Sequence, residues 1–225
     1  MILVLNNKNN FLYNEFSLYR ESLSGLGSNS NIILCPSSCY LSMCVNDTNY
    51  GLCAQKVSNK KDNATTGGIT AEQLKSLNVK YCIVGHSDFC DDSFAAKNKM
   101  LDLIDNDINP ILCISDDTKE SSLEDKKKVI MEKLKFFLEE LSESDLNKII
   151  LVYEPHWAVN QDLDLNFTDI EYLINSIKEK YSNNKILYGG GVNSTNISSL
   201  SKMNNIDGFL VGRFGNDVNN FKDYI

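Results

Sequence analysis

The chain is 225 residues long, 42 % of them apolar, with a formal net charge of −8 and a pI near 4.8. A chain of this length fits one (β/α) barrel or two small domains, and its apolar share is enough for a substantial core. The acidic balance argues against nucleic acid or an anionic membrane as partner, since both demand basic surface, so a site for an anionic ligand has to be built locally.

Short apolar runs recur at 2–5, 31–35, 50–54, 80–84, 110–114, 148–153, 185–188 and 206–211, separated by amphipathic or polar stretches. Eight runs in 225 residues leave about 28 residues per unit, the length of one strand and its helical crossover. That alternation predicts an α/β fold with a parallel sheet, a single (β/α)8 barrel over residues 1–225, and no Pro-, Gly- or Ser-rich linker divides it. The runs are far short of a membrane span, and Ile2 to Leu5 is too short for a signal-peptide core. Seven cysteines without a C-x-x-C pair suit reduced, packed thiols, and the only histidines, His86 and His156, form no zinc-type cluster. The expectation is a soluble cytoplasmic protein without a metal site.

In chain order, the first strand ends in Leu5-Asn6-Asn7-Lys8, which sets an amide and a lysine at its tip. Segment 36–50 carries only a weak helical pattern. Thr70-Ala71-Glu72-Gln73 predicts a capping box ahead of Leu74 and Leu77. Tyr81 to Val84 is a buried strand running into Gly85-His86-Ser87-Asp88, with Ser87 a candidate N-cap. That cap would set His86 near a helix N-terminus, where a neutral imidazole is favoured.

Cys113, in Ile111-Leu112-Cys113-Ile114-Ser115-Asp116, reads as core packing. From Leu123 to Leu141, Ile130, Leu134, Phe137 and Leu141 recur at helical spacing, with Lys126 to Lys128 on a solvated opposite face. The run Ile149 to Val152 then hangs Glu154 on a strand end, the rim where (β/α) barrels place catalytic groups. Pro155 fixes its own φ and Trp157 is large enough to anchor a hinge for loop 158–165. Ile170, Leu173, Ile174 and Ile177 mark the next helix, and the last two strands lead into Gly189-Gly190-Gly191 and Gly212-Arg213. Successive backbone N–H groups there suit an anion nest.

Taken singly, Glu154 reads equally well as a surface carboxylate, Asn6-Asn7-Lys8 as polar loop and Gly85-His86-Ser87 as a turn. Their order is more specific. Asn6-Asn7-Lys8, Gly85-His86-Ser87-Asp88, Tyr153-Glu154-Pro155-His156-Trp157-Ala158, Tyr188-Gly189-Gly190-Gly191 and Asp207-Gly208-Phe209-Leu210-Val211-Gly212 span nearly the whole chain, and in this order they resemble the triosephosphate isomerase family. The resemblance implies a cofactor-free isomerase of glycolysis and gluconeogenesis acting on a small phosphorylated triose, and a homodimer joined through the loop around Thr66. It also implies Glu154 as base, His86 as electrophile, Lys8 as the neutralising cation with Asn6 orienting it, and Asn160, Gly190, Gly191, Gly212 and Arg213 around the phosphate.

Several positions depart from the family's pattern. Asp88 stands for a glutamate and Phe89 for the arginine after it, while Gly68 and Lys56 replace a glutamate and an asparagine at the dimer contact. Val159-Asn160-Gln161-Asp162 replaces I-G-T-G in the lid, Gly191 the usual serine, and Arg213 a second glycine. With Asn6, Lys8, His86 and Glu154 all present, an active isomerase is the first reading. An isomerase of altered substrate and a non-catalytic phosphate-binding barrel are the alternatives.

Overall fold

Residues 1–29, 31–59, 66–89, 91–116, 119–158 and 166–225 are described by a computed structural model. Eight parallel strands, β1 (Ile2–Asn6), β2 (Ile32–Cys35), β3 (Gly51–Ala54), β4 (Tyr81–Val84), β5 (Asn109–Ile114), β6 (Ile150–Tyr153), β7 (Lys185–Tyr188) and β8 (Gly208–Val211), close into a barrel in chain order. These are the eight apolar runs of the sequence. The helices are α1 (Tyr13–Ser24), α2 (Ala71–Ser76), α3 (Ser93–Asp105), α4 (Leu123–Leu138), α5 (Glu143–Leu146), α6 (Phe167–Lys180), α7 (Ile197–Leu200) and α8 (Val218–Phe221). Among the described residues no helix is long and apolar enough to cross a membrane.

The capping box predicted at Thr70 is present: the Gln73 N–H donates to Thr70 Oγ1 at 3.2 Å and the Thr70 N–H to Gln73 Oε1 at 3.0 Å. Such a cap contributes about 1 kcal/mol. The weak segment after β2 forms a 3-10 turn, Ser38–Cys44, with only Leu41 and Cys44 buried, because no apolar stripe runs long enough to hold an α-helix against the sheet. α4 stops at Leu138, short of the predicted Leu141, which nonetheless packs against the core.

Strand periodicity sorts the core into two layers. Leu3, Leu5, Leu151, Tyr153, Ile186, Tyr188, Phe209 and Val211 belong to the layer shared with the helices. Val4, Ile33, Cys35, Cys53, Ile83, Ile111, Cys113, Val152, Leu187 and Leu210 fill the barrel axis. A fully buried Leu, Ile or Val contributes about 1.5–3 kcal/mol, so both layers resist slippage, and a one-residue shift of any strand would exchange them. Cys113 belongs to the inner layer, where burial pushes its thiol well above the usual value.

Candidate active site

The same alternation that fills the barrel also builds its mouth. One step of two beyond Val4 is Asn6, beyond Val152 is Glu154, beyond Leu187 is Gly189 and beyond Leu210 is Gly212, so all four continue the inward-facing rows. The register pairs Tyr153 with Tyr188 and Leu5 with Val211, which sets Glu154 opposite Gly189 and Asn6 opposite Gly212. A Cβ on Gly189 would lie 3.1 Å from Val152 Cγ1 and 3.4 Å from Glu154 Cβ, so glycine keeps room beside the carboxylate. A cleft of about 330 Å³ opens there, lined by Asn6, Lys8, His86, Glu154, Gly189, Gly191, Gly212 and Arg213 among others.

His86 enters the cleft from a tight turn. Gly85 has φ 72°, and a Cβ there would lie 2.8 Å from the Cys113 carbonyl. The Phe89 N–H closes the turn on the His86 carbonyl at 2.9 Å. Ser87 is therefore not a helix cap. α3 starts six residues after Ser87, at Ser93, where Asp92 accepts the Ala95 N–H at 2.7 Å, because the carboxylate next to the amphipathic run competes better for the cap. A backbone contact replaces the expected helix terminus: the Asp88 N–H donates to His86 Nδ1 at 3.0 Å. An imidazole that accepts at Nδ1 is neutral and carries its proton on Nε2.

That Nε2 lies 3.2 Å from Glu154 Oε1 and 3.4 Å from Asn6 Nδ2. Glu154 is 1 % exposed, and its second oxygen accepts the Ser87 N–H at 3.3 Å. Burial pushes the Glu154 carboxyl up to about 7, against the pull of the Ser87 N–H and the Lys8 charge in the other direction. A carboxylate poised near neutrality beside a neutral N–H donor suits removal of a proton next to a carbonyl.

Lys8 has φ 49°, a backbone state that costs a side-chain-bearing residue about 1–3 kcal/mol. Two hydrogen bonds hold its backbone, and a third fixes the glutamine that makes one of them. The Lys8 N–H donates to Asn6 Oδ1 at 3.2 Å, and Gln55 Nε2 donates to the carbonyls of Lys8 at 2.9 Å and Cys35 at 3.2 Å. The Lys8 ammonium lies 2.9 Å from Asp88 Oδ2, so the shorter carboxylate still reaches it. Partial burial raises the Asp88 carboxyl, but the hydrogen bond and charge of Lys8 outweigh that and hold it below its ordinary value.

At the other end of the cleft, Gly191 has φ 65° and its carbonyl accepts from Asn196 Nδ2 at 3.0 Å and Asn193 Nδ2 at 3.4 Å. The β8 loop is tied to the β1 side by Asn7 Nδ2 donating to Asn216 Oδ1 at 3.0 Å and the Tyr19 hydroxyl donating to the Gly215 carbonyl at 2.6 Å. Gly190 packs against Tyr188 and Pro155, where a Cβ would lie 2.9 Å from Pro155 Cγ. Arg213 is exposed on the cleft rim. Asn160 and the rest of segment 159–165 lie outside the described residues, as do Ala64 and Thr65 ahead of the Thr66 turn.

The sequence profile of the triosephosphate isomerase family matches residues 1–225. The chain belongs to this family. It is 35 % identical to the triosephosphate isomerase of Ureaplasma parvum over 234 aligned positions, covering 96 % of this chain and 91 % of the relative. It is 33 % identical to that of Orientia tsutsugamushi over 233 positions, covering 94 % and 91 %, and 35 % identical to that of Mycoplasmopsis pulmonis over 183 positions, covering 79 % and 73 %. As a member of the triosephosphate isomerase family the chain is an isomerase.

One cluster at the site's edge differs from its sequence reading. Trp157, in the 3-10 turn His156–Ala158 after β6, donates its indole N–H to both Asp116 oxygens at 3.2 and 3.1 Å. Asp116 is fully buried, and the Lys126 ammonium lies 3.5 Å from Asp116 Oδ2 and 4.7 Å from the centre of the Trp157 ring. Lys126 is thus buried, not part of a solvated face, because a buried carboxylate needs a cation and the lysine stem packs well over an indole. Helical spacing alone had no means of showing it. Gln55, Asn193 and Asn196 also escaped the sequence reading, although Gln55 directly follows a strand end, as Glu154 does, and that position was a usable signal.

Proposed function

We propose that this isomerase interconverts dihydroxyacetone phosphate and glyceraldehyde 3-phosphate through an enediolate. Glu154 takes the proton from the carbon beside the carbonyl and returns it to the neighbouring carbon. The His86 Nε2–H donates to the substrate oxygen on which charge develops, and Lys8, oriented by Asn6, neutralises that charge. Backbone N–H groups of Gly190, Gly191 and Gly212, with Arg213 and Asn160, hold the phosphate. The reaction needs only proton transfers between these groups and the substrate, so it calls on no cofactor.

The observation that carries this reading is the 3.2 Å approach of His86 Nε2 to Glu154 Oε1 at the closed end of a cleft whose other end is lined by glycines. Coupled assays in both directions on the purified protein test it. Turnover in neither direction would remove the reading.

The reading extends to a cytoplasmic homodimer. Cys35, Cys39, Cys44, Cys53, Cys82 and Cys113 are free thiols, which suits a reducing compartment. A second cleft of about 290 Å³ lies beside Lys8, lined by Gln55, Lys56, Asp88 and Phe89 among others, and the turn Thr66–Gly68 is exposed. A partner's Thr66 turn would fill that cleft. Gly68 and Lys56 remove polar contacts worth about 0.5–1.5 kcal/mol each, so the dimer should be loose. Sedimentation over a dilution series should show dissociation accompanied by loss of activity, and a fully active monomer would rule out a partner-dependent site.

A further inference from the structure

Strand alternation sends Leu3 and Leu5 into the layer shared with the helices, and the next residue of that row is Asn7. An apolar side chain is expected there, between Asn6 and Lys8, both of which line the cleft. Asn7 is instead an amide, 2 % exposed. Its Nδ2 donates to Asn216 Oδ1 at 3.0 Å, while its own Oδ1 finds no partner among the described residues. A buried amide satisfied on one side only costs stability, so core packing does not account for an asparagine at this position.

The amide fastens the loop after β8 to the tip of β1. Gly215 seats that loop on β1 with no room to spare, since a Cβ there would lie 2.8 Å from Val211 Cγ2 and 3.0 Å from Leu5 Cδ2. The Gly215 N–H closes the turn on the Gly212 carbonyl at 2.9 Å, and the Lys8 stem lies against Gly212, whose Cβ position is 3.8 Å from Lys8 Cε. The loop is therefore the surface on which the Lys8 stem rests. We propose that Asn7 and Asn216 are positioning residues, whose clasp holds the β8 loop against β1 and so keeps the Lys8 ammonium in place at the cleft. This rests on the triose phosphate reading above, in which Lys8 neutralises the developing charge. The link is short at both ends: Asn7 precedes Lys8 directly, and Asn216 follows the turn that Gly212 opens.

The test measures kcat, KM and melting temperature with glyceraldehyde 3-phosphate as substrate, for wild type, Asn7→Leu, Asn216→Leu and the double variant. Leucine keeps the shape of asparagine and suits the apolar layer, so the double variant, in which neither amide remains, should melt at or above wild type. Its kcat should nonetheless fall about tenfold, because a loosely held Lys8 stabilises the developing charge less well, while KM changes less. Each single variant should lose nearly as much kcat as the double one, since either change opens the clasp. An unchanged kcat would overturn the proposal, and so would a kcat that falls only together with the melting temperature, which marks a purely structural pair. A loss confined to KM would also overturn it, by showing that the clasp serves ligand binding and not Lys8, as would additive losses from two independent side chains. Asn216 is half-buried, so Asn216→Leu decides the question even if Asn7→Leu does not fold. A wild-type protein that turns over neither triose phosphate sinks the functional reading itself, so the two failures are distinguishable.

Discussion

At the end of the cleft where we place proton transfer the working groups are side chains at strand tips, with Glu154 1 % and His86 3 % exposed. At the end where we place the phosphate they are the backbone of two glycine loops, with one exposed arginine on the rim. The two ends tolerate change differently. A base or a proton donor is lost with its side chain, whereas a backbone N–H survives substitution if the turn holding it survives. Departures from the family pattern occur at both ends, Asp88 and Phe89 beside Lys8 and His86 and Gly191 and Arg213 on the glycine loops, but Glu154, His86, Lys8 and Asn6 keep their types.

The largest effect belongs to Glu154→Gln, which should lower kcat by about 10³-fold in the coupled assay. A variant within about tenfold of wild type would place the base elsewhere. Next comes His86→Gln, which removes the N–H proposed to face the developing charge and should cost about 10²–10³-fold in kcat. A loss confined to KM in that variant would mean that His86 binds substrate without serving the reaction.

Glu154 should also report its burial as stability. Its folded pKa of about 7 lies above the ordinary value of 4.5, so between these pH values the folded chain keeps a proton that the unfolded chain has released. The stability from this group is full below pH 4.5 and is lost as pH rises through 7. The loss amounts to about 3 kcal/mol. Glu154→Gln does not titrate, so its melting temperature should gain on wild type by about 5–10 °C between pH 4 and pH 8. A gap that stays constant with pH would show that the carboxylate is not desolvated.

The smallest effect is expected at the phosphate end. Gly191→Ser restores the family's usual residue but forces a Cβ into φ 65°, and should lower stability by about 1 kcal/mol in denaturant melts. Its kcat should change far less than that of either proton-transfer variant. A kcat loss comparable to that of His86→Gln would break the division between the two ends.

Much of this protein was legible from local sequence. Strand positions follow from short apolar runs, the placement of Asn6 and Glu154 at the mouth from their places at strand ends, and the Thr70 cap from a four-residue pattern, all of which short segments display. What only the tertiary structure decided are contacts that no strand or helix period encodes. The proton position on His86 is set by the Asp88 N–H and not by a helix terminus, the Lys8 backbone is held by Gln55 from β3's end, and Lys126 is drawn into the interior by Asp116 and Trp157. Helical spacing assigns a lysine to solvent from its own helix alone. Whether the loop ahead of that helix and the turn after β6 close over it, with a buried charge to be matched, depends on where the barrel brings them, and helical spacing does not contain that information.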